Sequence, residues 1–285
     1  MGVRVLPRPL RALRATIIAP ALGLRAGAAS DAGTHRAVNQ DSAFTSAWAA
    51  AVADGVGGGP GGEIASSVFV HRLMAGAREP IEVEQLATLL RIANWDLRAL
   101  VERDPALDGM ATTFTGLFVA PGGTLLLAHT GDSRAYLLRD GAMSRETRDD
   151  SFVQLLVDSG VVRPADAAFH PQRNVITASL RGGEDDRIAL MEPSVRVGDR
   201  WLLCSDGVSD YVPDEELVAL LAQGDAQTAA EAVVGLALTA GSRDNVTAVV
   251  GDVVPDPAWT VRPVFHGAAR DRFTESLDGG NRESA

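Results

Sequence analysis

Three aspartates lie where an apolar run of the sequence breaks into a turn. They are Asp54 in Ala-Val-Ala-Asp-Gly, Asp206 in Leu-Cys-Ser-Asp-Gly and Asp244 in Ser-Arg-Asp-Asn-Val. A carboxylate at the end of a strand projects from a rigid sheet edge, and a neighbouring glycine lets the backbone approach a ligand. Converging carboxylates repel one another unless a cation lies between them, and Mg²⁺ or Mn²⁺ is a suitable cation. The three aspartates therefore predict a metal site.

Composition and charge favour a cytoplasmic globular protein. The chain has 285 residues and 46% apolar residues, enough for a sizeable core. Its one cysteine, Cys204, excludes an internal disulfide and lies in an apolar run, which fits a reducing compartment. The net charge of −11 argues against a nucleic-acid partner, because phosphate backbones are bound by basic surfaces.

The first 23 residues predict a basic, poorly ordered extension. Residues 1–30 contain several arginines and no acid. The apolar stretch 15–24 has the character of a signal peptide, but it includes Pro20 and is followed by Arg25. It is also too short to span a bilayer. We therefore expect no membrane association, with export as the alternative.

From residue 24 to residue 253 the pattern predicts one domain of mixed helices and strands, followed by a polar tail over 254–285. The predicted strands cover 42–54 as a pair, 111–120, 124–130, 134–139, 200–205 and 246–253. The predicted helices cover 63–77, 81–103, 152–159, 214–222 and 226–239. Short turns between consecutive strands indicate antiparallel pairing. The irregular segment 143–187 is interpreted as a surface flap that contacts substrate.

Six short sequence motifs, called blocks below, follow one another along this domain. They are Arg-Ala-Val-Asn-Gln-Asp at 36–41, Ala-Asp-Gly-Val-Gly-Gly at 53–58, Ala-Thr-Thr at 111–113, His-Thr-Gly-Asp-Ser-Arg at 129–134, Cys-Ser-Asp-Gly at 204–207 and Ser-Arg-Asp-Asn-Val-Thr at 242–247. Together they resemble the motifs of the metal-dependent Ser/Thr protein phosphatases of type 2C, the PPM family, most closely its compact bacterial members. The resemblance implies an α+β fold, a four-layer α-β-β-α sandwich with two central antiparallel sheets and a dinuclear metal cleft at one end.

The resemblance also implies a set of metal ligands. Asp54 would bridge two ions of Mn²⁺ or Mg²⁺, with the Gly55 carbonyl on one ion and Asp206 and Asp244 on the other. Asp132 would help to hold a third, weaker ion. These cations prefer a ligand set with few carboxylates and many water molecules.

Two further residues match the family's positions around the ions. Asp41 would lie in the outer shell and hold water. Arg36 would bind phosphate, since its planar guanidinium can hold two phosphoryl oxygens; the alternative is an ordinary surface arginine. Arg134 has two open interpretations, a functional one and a structural one in which it pairs with Asp132 or another carboxylate.

The chain departs from the family pattern at two positions. Gln40 stands where many members carry an acid, which could weaken metal affinity. Val56 stands where eukaryotic relatives place a histidine that could act as the general acid, so the identity of that acid stays open. His129 and His170 are interpreted as a packed core histidine and a loop-stabilising histidine.

The implied activity is hydrolysis of phosphoserine and phosphothreonine in proteins by a hydroxide that bridges the metals. Two cations about 3.5–4 Å apart lower the pKa of a shared water and neutralise the phosphoryl oxygens. The implied partners are phosphorylated proteins, including a bacterial Ser/Thr kinase or its targets. The alternatives are a catalytically weak pseudophosphatase that serves as a phosphoprotein-binding regulator, and a phosphatase of an anti-sigma-factor antagonist.

Overall fold

Two antiparallel sheets lie face to face at the centre of the protein, and helices cover the outer face of each. The computed structural model describes residues 21–56, 61–77, 80–255 and 262–271. The strands are β1 (Leu22–Asp31), β2 (Ser42–Thr45), β3 (Ala49–Ala53), β4 (Gly55–Val56), β5 (Ala111–Thr112), β6 (Phe114–Ala120), β7 (Thr124–Thr130), β8 (Arg134–Arg139), β9 (Ala142–Arg145), β10 (Ala189–Met191), β11 (Arg200–Cys204), β12 (Val246–Pro255) and β13 (Val264–Gly267). The helices are α1 (Gly62–Gly76), α2 (Val83–Arg103), α3 (Phe152–Asp158), α4 (Asp206–Ser209), α5 (Asp214–Leu221) and α6 (Ala226–Thr239), with 3₁₀ turns at Pro105–Leu107 and Pro164–Phe169.

The first sheet has the strand order β1-β12-β11-β8-β9, and the second has the order β10-β7-β6-β3-β2-β13. A separate two-stranded ribbon joins β4 to β5. Neighbouring strands pair antiparallel in both large sheets. This arrangement confirms the predicted α+β fold with two central antiparallel sheets.

Residues of β11 show how the sequence builds the layers. Side chains alternate between the two faces of a strand. Trp201 and Leu203 face the core between the sheets, which extends to α1 and α2 beyond the second sheet. Leu202 and Cys204 face a second core under α5 and α6. Because both faces of β11 are covered, its sequence is apolar without a break from Trp201 to Cys204. The protein therefore has four layers.

The domain begins slightly earlier than the sequence predicts. β1 starts at Leu22 and pairs with β12 along its whole length, from Leu22 opposite Pro255 to Asp31 opposite Val246. Leu22 and Leu24, which closed the candidate signal stretch, are buried core residues. Residues 1–20 of the predicted extension lie outside the described residues.

The polar tail also differs from its prediction as a loosely ordered segment. β12 continues to Pro255, and Val264–Gly267 forms β13 at the edge of the second sheet. The tail residues 256–261 and 272–285 lie outside the described part of the chain. In the described part, none of the helices combines the length and the hydropathy that a bilayer crossing requires.

The flap is attached to the turn between β7 and β8. Within 143–187 it contains α3 and the 3₁₀ turn at Pro164–Phe169. Gly131 N–H donates to Asp150 Oδ2 at 3.0 Å, and Asp150 N–H donates to the Gly131 carbonyl at 2.7 Å. The flap is therefore tied next to Asp132, one of the predicted metal ligands.

Candidate active site

Four of the predicted aspartates project from separate turns into one cleft. Asp54 follows β3, Asp132 lies in the turn before β8, Asp206 begins α4 one residue beyond β11, and Asp244 precedes β12. The cleft has a volume of about 150 Å³. Its lining residues are Arg36, Gln40, Asp54, Gly55, Val56, Asp132, Asn174, Ile176, Asp206 and Asp244. Residues up to 208 positions apart in the chain thus meet here, as the metal-site prediction requires.

The backbone of Asp54 is fixed from the neighbouring strands. Asp54 N–H donates to Thr113 Oγ1 at 3.0 Å, while Thr113 N–H donates to the Asp54 carbonyl at 2.8 Å. Thr112 Oγ1 also donates to that carbonyl, at 3.0 Å. The Thr-Thr pair was part of the sequence resemblance, but its positioning role was not predicted.

Gly55 is a position where only glycine fits. Its N–H donates to the Gln40 carbonyl at 3.2 Å, and a Cβ built on Gly55 would lie 2.6 Å from the same oxygen. Non-bonded carbon and oxygen do not approach so closely, so any side chain would separate the two segments. The close approach keeps the Gly55 backbone beside Asp54 at the cleft.

Asp41 lies behind the cleft and is fully buried. Ser205 Oγ donates to its Oδ2 at 2.8 Å. Its Oδ1 is buried and has no hydrogen-bond partner within the described residues. Burial is the main cause that raises the pKa of Asp41 to about 6, although hydrogen bonds from Thr247 and Ser205 lower it. A buried carboxylate oxygen without a partner fits a role in holding water.

Among the described residues, Asp54, Asp132 and Asp206 form no ion pair, whereas Asp244 pairs with Arg36. Burial, with repulsion from neighbouring aspartates, raises the pKa of Asp54 and of Asp206 well above the usual range. Burial, with repulsion from Asp149 and Asp210, raises the pKa of Asp132 to about 7. Such a group of anions is stable in its ionised form only when cations are bound among them.

The donor set fits hard divalent cations. The candidate ligands are carboxylate and carbonyl oxygens, which suit Mg²⁺ and Mn²⁺ rather than softer metals. Among the residues that the structure describes, no three or more His, Cys, Asp or Glu side chains form a compact metal-ligating cluster. A site of this kind therefore needs water for many of its ligand positions, as Mg²⁺ sites usually do.

Arg36 stands at the mouth of the cleft. Its Nη2 donates to Asp244 Oδ2 at 2.6 Å, and the two side chains are 43% and 30% exposed. The adjoining loop is held by Asn245, whose Nδ2 donates to the Val38 carbonyl at 3.0 Å and whose Oδ1 accepts from Gln40 N–H at 2.8 Å. Asn245 was not predicted as a site residue, although its place next to Asp244 in the block 242–247 was the available signal.

Arg134 has a structural partner other than Asp132. Its Nε and Nη2 donate to Asp149, at 3.1 Å to Oδ1 and 2.8 Å to Oδ2, and the pair is mostly buried. Asp149 also accepts from Arg145. This arrangement supports the structural interpretation of Arg134, with Asp149 as the carboxylate.

The two histidines lie in structural surroundings. His129 is buried, with Nδ1 at 2.9 Å from Thr115 Oγ1 and Nε2 at 2.9 Å from the Arg148 carbonyl. His170 Nδ1 accepts from Gln172 N–H at 3.2 Å inside the flap. These contacts support their interpretation as a core histidine and a loop-stabilising histidine.

A second groove, of about 410 Å³, adjoins the cleft and shares Asp132 and Asp206 with it. Its other wall belongs to the flap, including Val153, Val157 and Arg173. The Arg173 Nε lies 3.4 Å from Asp210 Oδ2 and ties this wall to the residue that follows α4. The flap thus forms one wall of a groove that opens beside two of the predicted metal ligands.

Comparison with known proteins identifies the family. The family model described as protein phosphatase 2C matches residues 33–238. This chain belongs to the protein phosphatase 2C family. The match confirms the resemblance that the six sequence blocks indicated.

Several relatives within the protein phosphatase 2C family are similar along most of the chain. The Ser/Thr protein phosphatase PstP of Mycobacterium tuberculosis is 42% identical over 270 residues, which is 93% of this chain and 52% of the relative. The chain thus spans about half the length of this curated relative. The Ser/Thr phosphatase Stp of Listeria monocytogenes is 30% identical over 207 residues, 70% of this chain and 82% of the relative.

Solved structures of the family have the same fold. A crystal structure of M. tuberculosis PstP/Ppp has a TM-score of 0.78 at 43% identity and covers 82% of this chain and 100% of that chain. The catalytic domain of PstP in complex with two manganese ions has a TM-score of 0.74 at 42% identity, covering 82% of this chain and 99% of that one. Staphylococcus aureus Stp1 has a TM-score of 0.74 at 31% identity, covering 80% and 94%.

Proposed function

We propose that this chain is a metal-dependent phosphatase that hydrolyses phosphoserine and phosphothreonine in proteins. The observation that carries the proposal is the set of four aspartates from four separate turns that line one small cleft. The named Ser/Thr phosphatases among the relatives, and the manganese ions of the PstP catalytic domain, support it. Its catalytic unit would extend from β1 to the end of β12.

The metals would be two ions of Mn²⁺ or Mg²⁺, with Asp132 available for a third. Asp54 would contact both ions, the Gly55 carbonyl one of them, and Asp206 and Asp244 the other. When bound, such ions lower the pKa of water and neutralise phosphoryl oxygens, so that an attack on phosphorus becomes feasible. Each of these donors lies at the cleft wall.

The chain's own residues would bind the phosphate and order water. Arg36 is exposed enough to turn from Asp244 to a phosphoryl group once cations neutralise that carboxylate. Asp41 would accept a hydrogen bond from water at its unpartnered Oδ1. Val56 at the cleft wall has no ionisable proton and cannot act as the general acid. We infer that water protonates the leaving oxygen instead.

The substrates would be phosphorylated proteins, and the natural opponent a bacterial Ser/Thr kinase acting on the same targets. The cytoplasmic location stays a prediction that rests on the single, buried Cys204. A pseudophosphatase that only binds phosphoproteins would be expected to lack metal carboxylates. All of the candidate ligands named above are present, which favours the enzyme.

The test is hydrolysis of a phosphothreonine peptide at increasing Mn²⁺ concentration, with wild type, Asp54→Asn and the control Asp108→Asn. Asp108 is exposed and distant in sequence from every candidate ligand. We expect turnover only with Mn²⁺ or Mg²⁺, nearly complete loss in Asp54→Asn and no change in Asp108→Asn. Turnover that survives EDTA, or that Asp54→Asn retains, would reject the proposed function.

A further inference from the structure

The C-terminal strand β13 lies beside Asp41 and outside the segment 33–238 that the family model matches. It is the edge strand of the second sheet and pairs with β2, which starts directly after Asp41. Gly267 is opposite Ser42, and the next residue, Ala268, donates its N–H to the Asp41 carbonyl at 2.8 Å. The backbone of a site residue is thus bonded by the C-terminal tail.

The approach to Asp41 is as close as the backbone allows. Gly267 has a φ of +63°, a conformation that side chains disfavour. A Cβ on Gly267 would collide with the Asp41 carbonyl oxygen and lie 2.9 Å from Ser30 Oγ. Any substitution of Gly267 would therefore push against Asp41 itself.

Several contacts fix the segment 264–269 in this place. The Phe265 ring packs edge-on against Phe44, with ring centroids 6.4 Å apart, and lies 4.0 Å from the His71 ring of α1. His71 Nε2 lies 2.8 Å from the Ala269 carbonyl oxygen. Ala269 is fully buried. The segment is therefore packed into the domain rather than lying loosely on it.

Asp41 is held at its N–H, its carboxylate and its carbonyl, and the tail bonds the carbonyl. Asn39 Oδ1 accepts from Asp41 N–H at 3.1 Å, and Ser205 Oγ donates to the carboxylate. The Asp41 carbonyl has Ala268 as its donor. Loss of that donor would free the end of the loop that carries Arg36 and Gln40 into the cleft.

We propose that residues 264–269 are a positioning element of the metal site, which acts by holding Asp41. The role assigned to this segment rests on the proposed function, in which Asp41 orders water beside the metals. Residues that orient the ligands and waters of a metal site typically change metal affinity or activity by about 10- to 100-fold when they are altered. The segment is therefore expected to affect metal binding as well as folding.

The first experiment compares the full chain with two truncations, lacking 264–285 or only 272–285. The readout is the Kd for Mn²⁺ by isothermal titration without substrate, with thermal unfolding of each protein as a check of folding. We expect the longer truncation to weaken Mn²⁺ binding about tenfold and the shorter one to leave it unchanged. Equal Mn²⁺ affinity of all three folded proteins would overturn the role.

A point variant covers the case in which the longer truncation does not fold. Ala268→Pro removes the N–H that bonds Asp41, although its ring also fixes φ at residue 268 and restricts residue 267, whereas the control Ala268→Gly keeps the N–H. We expect Ala268→Pro to weaken Mn²⁺ binding in the same direction as the truncation, and Ala268→Gly to bind as the wild type does. Identical Kd values for the two variants would contradict the proposal.

A double-mutant cycle separates positioning from general stability. If the segment acts through Asp41, Ala268→Pro should change the Mn²⁺ Kd in the wild type and have little further effect in Asp41→Ala. A full effect in the Asp41→Ala background would reject the route through Asp41. A wild-type chain that binds no Mn²⁺ would refute the proposed function. Equal Mn²⁺ binding with and without the hydrogen bond from Ala268 N–H to the Asp41 carbonyl would refute only this inference.

Discussion

The ion pair between Arg36 and Asp244 is compatible with the phosphate-binding role proposed for Arg36. Both groups are partly exposed, and ion pairs of this kind stabilise a protein by at most about 1 kcal/mol. A phosphoryl group offers the same guanidinium two oxygens and a higher charge. The free energy lost by breaking the ion pair with Asp244 is therefore small compared with that gained by binding a phosphoryl group.

Arg36→Ala is expected to raise the KM for a phosphothreonine peptide about tenfold or more, because a hydrogen bond to a charged group contributes roughly 1.5–3 kcal/mol. Turnover at saturating substrate should fall less. Steady-state kinetics at fixed Mn²⁺ measure both. The matched control is Arg72→Ala, since Arg72 forms a similarly exposed ion pair with Asp96 on the helices. An unchanged KM would leave Arg36 as a surface residue.

The buried His129 is expected to make the free energy of unfolding depend on pH. Burial lowers its pKa below the usual value near 6.5. Between the folded and unfolded pKa values the unfolded chain binds more protons, so the stability supplied by neutral His129 is present above pH 6.5 and is lost as the pH falls. Denaturant unfolding of wild type and His129→Gln from pH 7.5 to 5 should show the wild type losing stability more steeply. Parallel curves would contradict this prediction.

At the scale of elements, the site depends on contacts between segments that the sequence separates. The turn at Gly131 is bonded to the flap through Asp150, and the strand end at Asp54 is bonded to Thr113. Thr113 Oγ1 also lies 2.7 Å from Ser133 Oγ, next to Asp132. The sheet edge, the metal-site turn and the flap are thus linked by short hydrogen bonds between neighbouring elements.

Asp150→Ala is expected to loosen the flap and to reduce kcat/KM for a phosphopeptide about tenfold, by the loss of one charged hydrogen bond. The effect on p-nitrophenyl phosphate should be smaller, because this compound is too small to reach the flap wall of the second groove. Hydrogen exchange should increase in residues 150–177. Asp185→Ala, which changes a fully exposed acid within the flap, is the control. Equal losses on both substrates would show that the flap does not contact the peptide.

At the scale of the whole molecule, glycine-bounded apolar runs predicted several strands and the turns of Asp54, Asp206 and Asp244, because such runs mark strand ends. The four layers were implied by the resemblance to the type 2C phosphatases. Strands 124–130 and 134–139 agree with the structure residue by residue. β1 was missed because its Gly- and Ala-rich sequence has weak strand propensity and is stabilised by pairing with β12. β13 was missed because four residues next to Pro263 give too short a pattern.

The supporting contacts of the site could not be predicted in the same way. Gln40 and Asn245 are 205 residues apart, and Asp54 and Thr113 are 59 apart. Such pairs follow from the packing of the two sheets and not from any local spacing. Local patterns identified three of the carboxylates and the resemblance added Asp41 and Asp132, whereas only the tertiary structure shows what holds them.

The most direct test of the account is a crystal structure of the protein grown with MnCl₂, with anomalous diffraction used to locate manganese. The account predicts two anomalous peaks in the cleft, both within ligand distance of Asp54, one beside the Gly55 carbonyl and the other beside Asp206 and Asp244. A well-ordered cleft without anomalous density among these residues would contradict it.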